Sequence, residues 1–279
     1  MEAKLYVVGT PIGNLSDMSE RAKKVLSEVD FVAAEDTRNS LKLLSLFGIK
    51  KEMVSYHEHN KMASGERIVA RLLAGESCAL ITDAGMPAIS DPGEDLVKLC
   101  AEAGVTVSVV PGPSAVVSAL ALSALSTRRF AFEGFLPPQK GDRKKRLEAV
   151  MYDDRTLVFY EAPHKLRSTL ADMAECFGAD RKISLCRELT KLNEEIARLS
   201  LGEAVKYYEN NEPRGEYVLV IEGFCGKAPD AGEDLTMLSP EEHVARYEAE
   251  GMKRMDAIKK AAKDRGMSKS DLYKLLIEE

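Results

Sequence analysis

Two short stretches of this 279-residue chain set groups capable of acid–base work or anion binding side by side. The first, AAEDTR (33–38), carries Glu35, Asp36 and Arg38 at the end of an apolar run. A positioned carboxylate can take a proton from a reacting hydroxyl, and a guanidinium can grip a phosphate or a second carboxylate. The pattern alone also fits a plainer role, with Asp36 or Thr37 capping a helix amid ordinary helix-start charges. The second stretch, CRELTK (186–191), offers Arg187, Glu188 and Lys191. YHEHN (56–60) puts His57 and His59 on one face of a strand end, but two ligands do not make a metal site and no third follows nearby. His164 in EAPHKL reads as a loop residue near a ligand or as a helix start.

Three loops carry a different signal. They are GTPIGN (9–14), DAGMPAISDPG (83–93) and PGPSA (111–115), and each follows an apolar run. None contains G-x-x-x-x-G-K-[ST] or G-x-G-x-x-G, the phosphate-cradling patterns. Prolines at 11, 87, 92, 111 and 113 remove backbone donors that such a cradle needs and hold the preceding residues extended. Any one loop is explained by turn chemistry. Three of them at carboxyl ends of parallel strands would share one edge, where open α/β sheets bind ligands. Stiff loops poor in donors suit a ligand held by shape, carbonyls and a few polar contacts.

The elements that must position these loops are legible. Apolar runs at 5–8, 31–34, 53–56, 79–82 and 105–110 alternate with helix-like segments at 19–29, 39–47, 66–74 and 94–103, followed by 114–125. Continuous apolar strands separated by helices predict a parallel sheet covered on both faces. After about residue 128, RFAFEGFLP, RTLVFYEA, RKISLCREL, EEIARLSL and GEYVLVIEG read as five strands, with helices at 144–151 and 166–177. The expectation is an α/β chain: an N-terminal domain over 1–126, a second domain with a mixed sheet over 127–225, a linker at 226–238, and a helical module at 239–279. In that module Met255, Ile258, Ala261 and Ala262 share a helical face. Gly266 ends the helix, and Ser268 with Asp271 starts another carrying Leu272, Leu275 and Leu276, a helix-turn-helix pattern or a capping hairpin.

Composition narrows the function classes. The chain is 45% hydrophobic and 30% charged, ordinary for a protein that buries real cores. It has no apolar run of membrane-spanning length, and Met1–Lys4 lead into a strand rather than a signal peptide, so a cytoplasmic protein without a membrane partner is expected. Its five cysteines are scattered and fit neither a zinc site nor a disulfide framework. A net charge of −6 argues against nonspecific attraction to nucleic acid, yet two local basic patches exist. LPPQKGDRKKR (136–146) offers Lys140, Arg143, Lys144, Lys145 and Arg146, and residues 253–274 hold eight Lys/Arg against three Asp. Either could contact RNA phosphates, with salt-dependent affinity, or be a solvated face.

Taken together, VVGTPIGNLSDMSERA, VDFVAAEDTRNSLKLL, ITDAGMPAISDPG, VPGPSAVVSAL, FEGFLP, LVFYEAPHKL and CRELTKLNEE resemble the small-subunit ribosomal RNA 2′-O-methyltransferase I family, within the tetrapyrrole methylase superfamily. The resemblance runs from about residue 4 to 223, and the tail resembles the helix-turn-helix module often appended in this family. It implies a two-domain tetrapyrrole methylase-like fold with S-adenosylmethionine in the cleft and a homodimer. The reaction implied is 2′-O-methylation of a cytidine ribose in the decoding region of 16S ribosomal RNA, in the 30S subunit or a late precursor. Carried onto this sequence, cofactor contacts would come from Pro11, Asp83, Ala84, Gly85, Ile89, Ser114 and Ala115, and from Tyr160, Glu161, Leu189, Glu216 and Tyr217 in the second domain. The proton acceptor would be Glu35 or Asp36, with Arg38 holding a phosphate or the other carboxylate. Met86 and Ala88 depart from the residues common in the family, without touching backbone contacts. Three other readings compete. They are a corrin methyltransferase, which has no use for the basic stretches; a nicotinamide-dependent oxidoreductase, which lacks its glycine fingerprint; and a non-catalytic RNA-binding assembly factor.

Overall fold

The computed structural model describes residues 2–226, 235–249 and 251–276, so most of the expected linker, residues 227–234, lies outside the described residues. The chain forms two compact units, Met1–Phe224 and Cys225–Glu279.

The first unit contains two five-stranded sheets. Strands β1 (Leu5–Val8), β2 (Phe31–Ala34), β3 (Glu52–Ser55), β4 (Cys78–Ile81) and β5 (Val107–Val110) form the first, in the order β3-β2-β4-β1-β5. Every pairing in it is parallel. Because β1, β2 and β4 are buried along their whole length, they read as unbroken apolar runs rather than alternating ones. Tyr6, Val8, Val32 and Ile81 face a core shared with α1 (Glu20–Glu28) and α2 (Thr37–Leu46), through Val25, Leu26 and Leu44. Leu5, Phe31, Cys78 and Leu80 face the opposite core, against α3 (Lys61–Leu73) and α4 (Gly93–Glu102). Helix α3 starts a turn earlier than its sequence pattern suggests and carries Gly65 in its interior. That glycine costs helix stability, but a Cβ there would come within 2.7 Å of Leu99 Cδ1, so its absence lets α4 pack closely.

The second sheet comprises β6 (Phe130–Phe135), β7 (Thr156–Glu161), β8 (Lys182–Arg187), β9 (Glu195–Ser200) and β10 (Tyr217–Ile221), in the order β6-β7-β10-β8-β9. Only β6 and β7 run parallel, which makes the sheet mixed, as expected. Helix α5 (Ala115–Leu122) packs on one face through Val116, Ala119 and Leu120, against Val158, Val218 and Val220. Helices α6 (Lys140–Val150), α7 (Pro163–Phe177) and α8 (Leu201–Asn210) cover the other. Helix α8 has no counterpart among the sequence expectations. A capping box starts it, with Ser200 accepting from the Glu203 amide and Glu203 accepting from the Ser200 amide. Helix α6 begins at Lys140, not 144, because Arg143 occupies an inward position and hides the apolar period.

The second unit holds α9 (Pro240–Ala249), α10 (Arg254–Asp264) and α11 (Lys269–Leu275) around Val244, Tyr247, Ala257, Ile258, Ala261 and Leu272. Gly266 at φ +65° ends α10, and the Ser268 hydroxyl accepts from the Asp271 amide at the start of α11. Met255 does not join the buried face assigned to it. It lies in the first turn of α10 and is 51% exposed, while Ile258, Ala261 and Ala262 are buried.

Candidate active site

The three loops meet at the carboxyl ends of β1, β4 and β5, where the connections after β1 and β4 leave in opposite directions across the sheet. Thr10 and Gly85 exchange backbone hydrogen bonds of 2.9 and 3.1 Å, which zip the first loop to the second. The buried Thr10 hydroxyl donates to the Thr82 carbonyl at 3.1 Å and tightens that join. Gly9 and Gly112 hold the first loop to the third, since a Cβ on Gly9 would lie 2.6 Å from Gly112 Cα. The second loop is also strained, with Ala88 at φ +66° and Ser90 at +65°. The Asp91 carboxylate restrains it by accepting from the Ala88 amide at 2.9 Å and the Gly93 amide at 2.7 Å.

The second sheet supplies the opposite wall. Its register sets Glu161, Tyr217, Arg187 and Glu195 side by side at one edge. The segment after β8 is strained as well, Glu188 at φ +51° and Thr190 at +66°. Between this edge and the three loops lies a cavity of about 580 Å³. Its apolar surface comes from Ile12, Ile89, Phe135, Tyr160, Leu189 and Val218. Its lining includes five acidic residues, Glu35, Asp83, Asp91, Glu161 and Glu216, against the single ammonium of Lys191, which is bound to Glu216 at 2.7 Å. Such a site favours a ligand that is flat and apolar in one part and cationic in another.

The two candidate proton acceptors stand in opposite environments. Asp36 caps α2, accepting from the Arg38 guanidinium and from the Arg38 amide at 2.8 Å, and these bonds, the guanidinium's first, hold its carboxyl below the usual range. Its plainer role as a helix cap is realised. Glu35 lines the cavity, and partial burial, followed by the negative charges of Asp83 and Asp91, pushes its pKa up. Burial also raises Asp91.

Of the residues assigned to the cofactor, Asp83, Ala84, Gly85, Ile89, Ser114, Ala115, Tyr160, Glu161, Leu189, Glu216 and Tyr217 all line this cavity. Pro11 does not. It is buried in the first loop and lines an adjoining hollow with Asn39, Ser40 and Asp83. Glu35 lies within the cavity, whereas Asp36 and Arg38 stand outside its lining. His164 and Lys191 also line it, while Glu188 binds Lys191 at 2.9 Å and accepts from the Glu216 amide. Asp91 and Phe135 went unassigned in the sequence. The signal for Asp91 was S-D-P-G, an acceptor side chain placed to bind the amides around it. Phe135 gave none, because β6 is bulged and its Gly134 sits at φ +66°.

The basic stretch 140–146 needs correction. Arg143 is buried, donates to Asp172 at 2.7 Å and to the Pro138 carbonyl at 3.0 Å, and so belongs to the core rather than to an RNA face. Lys144 is bound to Glu175 and Arg146 to Glu133, which leaves Lys140 and Lys145 as the more exposed cations.

Residues 4–205 match the family described as Tetrapyrrole (Corrin/Porphyrin) Methylases. The chain is 46% identical to ribosomal RNA small subunit methyltransferase I of Halalkalibacterium halodurans, over 99% of this chain and 95% of that protein. The chain belongs to the ribosomal RNA small subunit methyltransferase I family. Its relative of the same name in Thermotoga maritima is 45% identical and is covered over 98% of its length by 79% of this chain. About a fifth of this chain, the size of its C-terminal unit, therefore has no counterpart there. Among solved structures, uroporphyrin-III C-methyltransferase of Thermus thermophilus complexed with S-adenosylhomocysteine shares the fold. It superposes with a TM-score of 0.57 at 18% identity, covering 78% of this chain and 97% of that one.

S-Adenosylmethionine fits the cavity on its own terms. The apolar walls can flank an adenine ring, and the carboxylate excess suits a ligand bearing a sulfonium and an amine. Loop carbonyls and the few free amides suit its polar atoms better than they would a pyrophosphate.

Proposed function

We propose that this chain is an S-adenosylmethionine-dependent methyltransferase that acts on the ribose 2′-hydroxyl of a cytidine in the decoding region of 16S ribosomal RNA. The observation that carries this reading is the acidic, apolar-walled cavity between the three locked loops and the second sheet, in a chain of this family. The cofactor supplies an activated methyl group, so the protein's main task is alignment of the acceptor oxygen. The loops after β1, β4 and β5 provide a rigid floor, and Tyr160, Leu189 and Tyr217 complete the wall that excludes water. Glu35 takes the hydroxyl proton, because its raised pKa makes it a stronger base than an ordinary glutamate and it faces the cavity. Asp36 positions the first turn of α2 and orients Arg38, whose exposed guanidinium meets a phosphate of the acceptor strand.

RNA is gripped by local patches on an otherwise acidic protein. Lys140 and Lys145 contribute in the first unit, and Lys259, Lys263, Lys269 and Lys274 in the second. The acceptor is the 30S subunit or a late precursor, encountered in the cytoplasm. A second copy of the chain covers the outer residues of α5 and the edge strands, where Val117, Val109 and Phe130 are 60%, 53% and 43% exposed.

The acceptor is tested by offering the protein labelled S-adenosylmethionine with either 30S subunits lacking ribose methylation or a tetrapyrrole precursor. Label in the RNA of the 30S subunit is expected. Label confined to the tetrapyrrole would overturn the substrate assignment while leaving the cofactor site standing.

A further inference from the structure

Behind the wall that Tyr217 contributes to the main cavity lies a second, smaller pocket of about 240 Å³. It forms where the ends of β8 and β10 meet the last turn of α8, and Arg187, Tyr207, Asn211, Arg214 and Tyr217 are among its walls. Nothing in the reaction as derived above uses it.

Its first distinguishing feature is an unfilled donor. The Arg187 Nε–H is buried without a hydrogen-bond partner, although the same guanidinium holds Glu195 at 2.7 Å. A buried donor left unpaired is costly, more so on a charged group, so the Arg187 guanidinium, 27% exposed as a whole, is incompletely satisfied by the fold. The second feature is an aromatic platform. Tyr207 is 48% exposed, yet it is braced edge-on by Tyr208 with ring centres 5.0 Å apart. The Tyr208 and Tyr217 hydroxyls lie 3.3 Å apart, and the Asn211 side-chain Nδ2 donates to the Tyr207 backbone carbonyl at 2.8 Å, so the platform is held from behind. The third feature is charge balance. Arg187 faces Glu195, and Arg214 faces Glu212 at 3.3 Å, so the pocket offers no net positive charge to draw in a lone phosphate.

An aromatic face beside one unfilled donor, in an electrically balanced pocket, suits a flat neutral ring bearing a carbonyl or ring-nitrogen acceptor. We propose that this pocket takes an unstacked nucleobase of the acceptor RNA, flanking the methylated nucleotide, with the base on Tyr207 and its acceptor edge on the Arg187 guanidinium. The inference rests on the ribosomal RNA reading for its source of ligand. The location supports it: Cys186 and Glu216 line the methyl-donor cavity, while their chain neighbours Arg187 and Tyr217 line this one.

The test uses the full chain and a short single-stranded RNA carrying 2-aminopurine, whose fluorescence falls when it stacks. Wild-type protein is expected to quench it. Tyr207→Ala should abolish the quenching and raise KM for 30S subunits about tenfold, the lower part of the range for losing one base–aromatic stack. Tyr207→Phe should retain both properties, and Arg187→Lys should weaken both. Cofactor affinity and the melting temperature, measured in parallel, should be unchanged in Tyr207→Ala if folding and the main cavity are intact. Absence of quenching by wild type, or a Tyr207→Ala protein with wild-type quenching and a KM within twofold, overturns the proposal. Tyr207-dependent quenching without methyl transfer to ribosomal RNA would support the base pocket and sink the proposed reaction, so the two failures are distinct.

Discussion

Helix α6 and the pair α10–α11 look alike in sequence, each a dense run of Lys and Arg, and the structure uses their charges in opposite ways. In α6, Arg143 is buried against Asp172, Lys144 binds Glu175, Arg146 binds Glu133, and Lys145 leans on Asp142 at 3.4 Å. In the C-terminal unit, Lys259, Lys263, Lys269 and Lys274 are exposed and form no ion pair among the described residues. The difference arises from what lies opposite. Helix α6 packs on α7, which presents Asp172 and Glu175, whereas the α9 carboxylate that reaches α10, Glu248, pairs with Arg254 at 3.6 Å and, among the described residues, with none of these four lysines. A positive run thus stays open to an anionic partner mainly where the fold leaves it unpaired.

The largest expected effect that could break this comparison lies in α6. Arg143→Ala leaves Asp172 buried without its partner and should destabilise the first unit by about 3 kcal/mol, since breaking a buried pair strands a charge. Urea unfolding checks this, and a change near zero would return Arg143 to the surface. Next in size, replacing Lys259, Lys263, Lys269 and Lys274 together by Gln should leave stability nearly untouched. It should reduce the slope of log affinity for RNA against log salt by about 3, as expected for four lost phosphate contacts. An unchanged slope would move the RNA grip elsewhere. Smallest, Lys140→Gln with Lys145→Gln should shallow that slope by about 1 to 2 and leave the melting temperature in place. A larger change than the C-terminal variant gives would reverse the ranking of the two regions.

The same contrast explains what could be read from the sequence. Both sheets were legible because their inner strands are buried on two faces and appear as apolar runs, Phe31–Ala34 and Tyr217–Ile221 among them. The cavity was legible because its loops are built from Gly and Pro whose spacing fixes backbone shape, down to the close approach of Gly9 and Gly112. What stayed hidden depends on partners distant in sequence. Arg143 takes its place from Asp172, 29 residues away, while α8 is the exception, since Ser200 and Glu203 stand at capping-box spacing in the sequence itself. Glu35 and Asp36 are adjacent carboxylates, and only the fold reveals that Arg38 holds one while Asp83 and Asp91 crowd the other.

That last distinction carries the mechanism. The most direct measurement is the single-turnover rate of methyl transfer to 30S subunits as a function of pH, for wild type, Glu35→Gln and Asp36→Asn, with the labelled nucleotide mapped by nuclease digestion. The wild-type rate should rise with pH as Glu35 deprotonates and level off above the usual glutamate range, because its pKa is raised. Glu35→Gln should lower the plateau by about 100-fold or more and abolish that limb, Asp36→Asn should keep the limb, and the label should map to a cytidine 2′-oxygen. A Glu35→Gln enzyme with the wild-type rate and pH profile, or label on a base or on another nucleotide, would contradict the account.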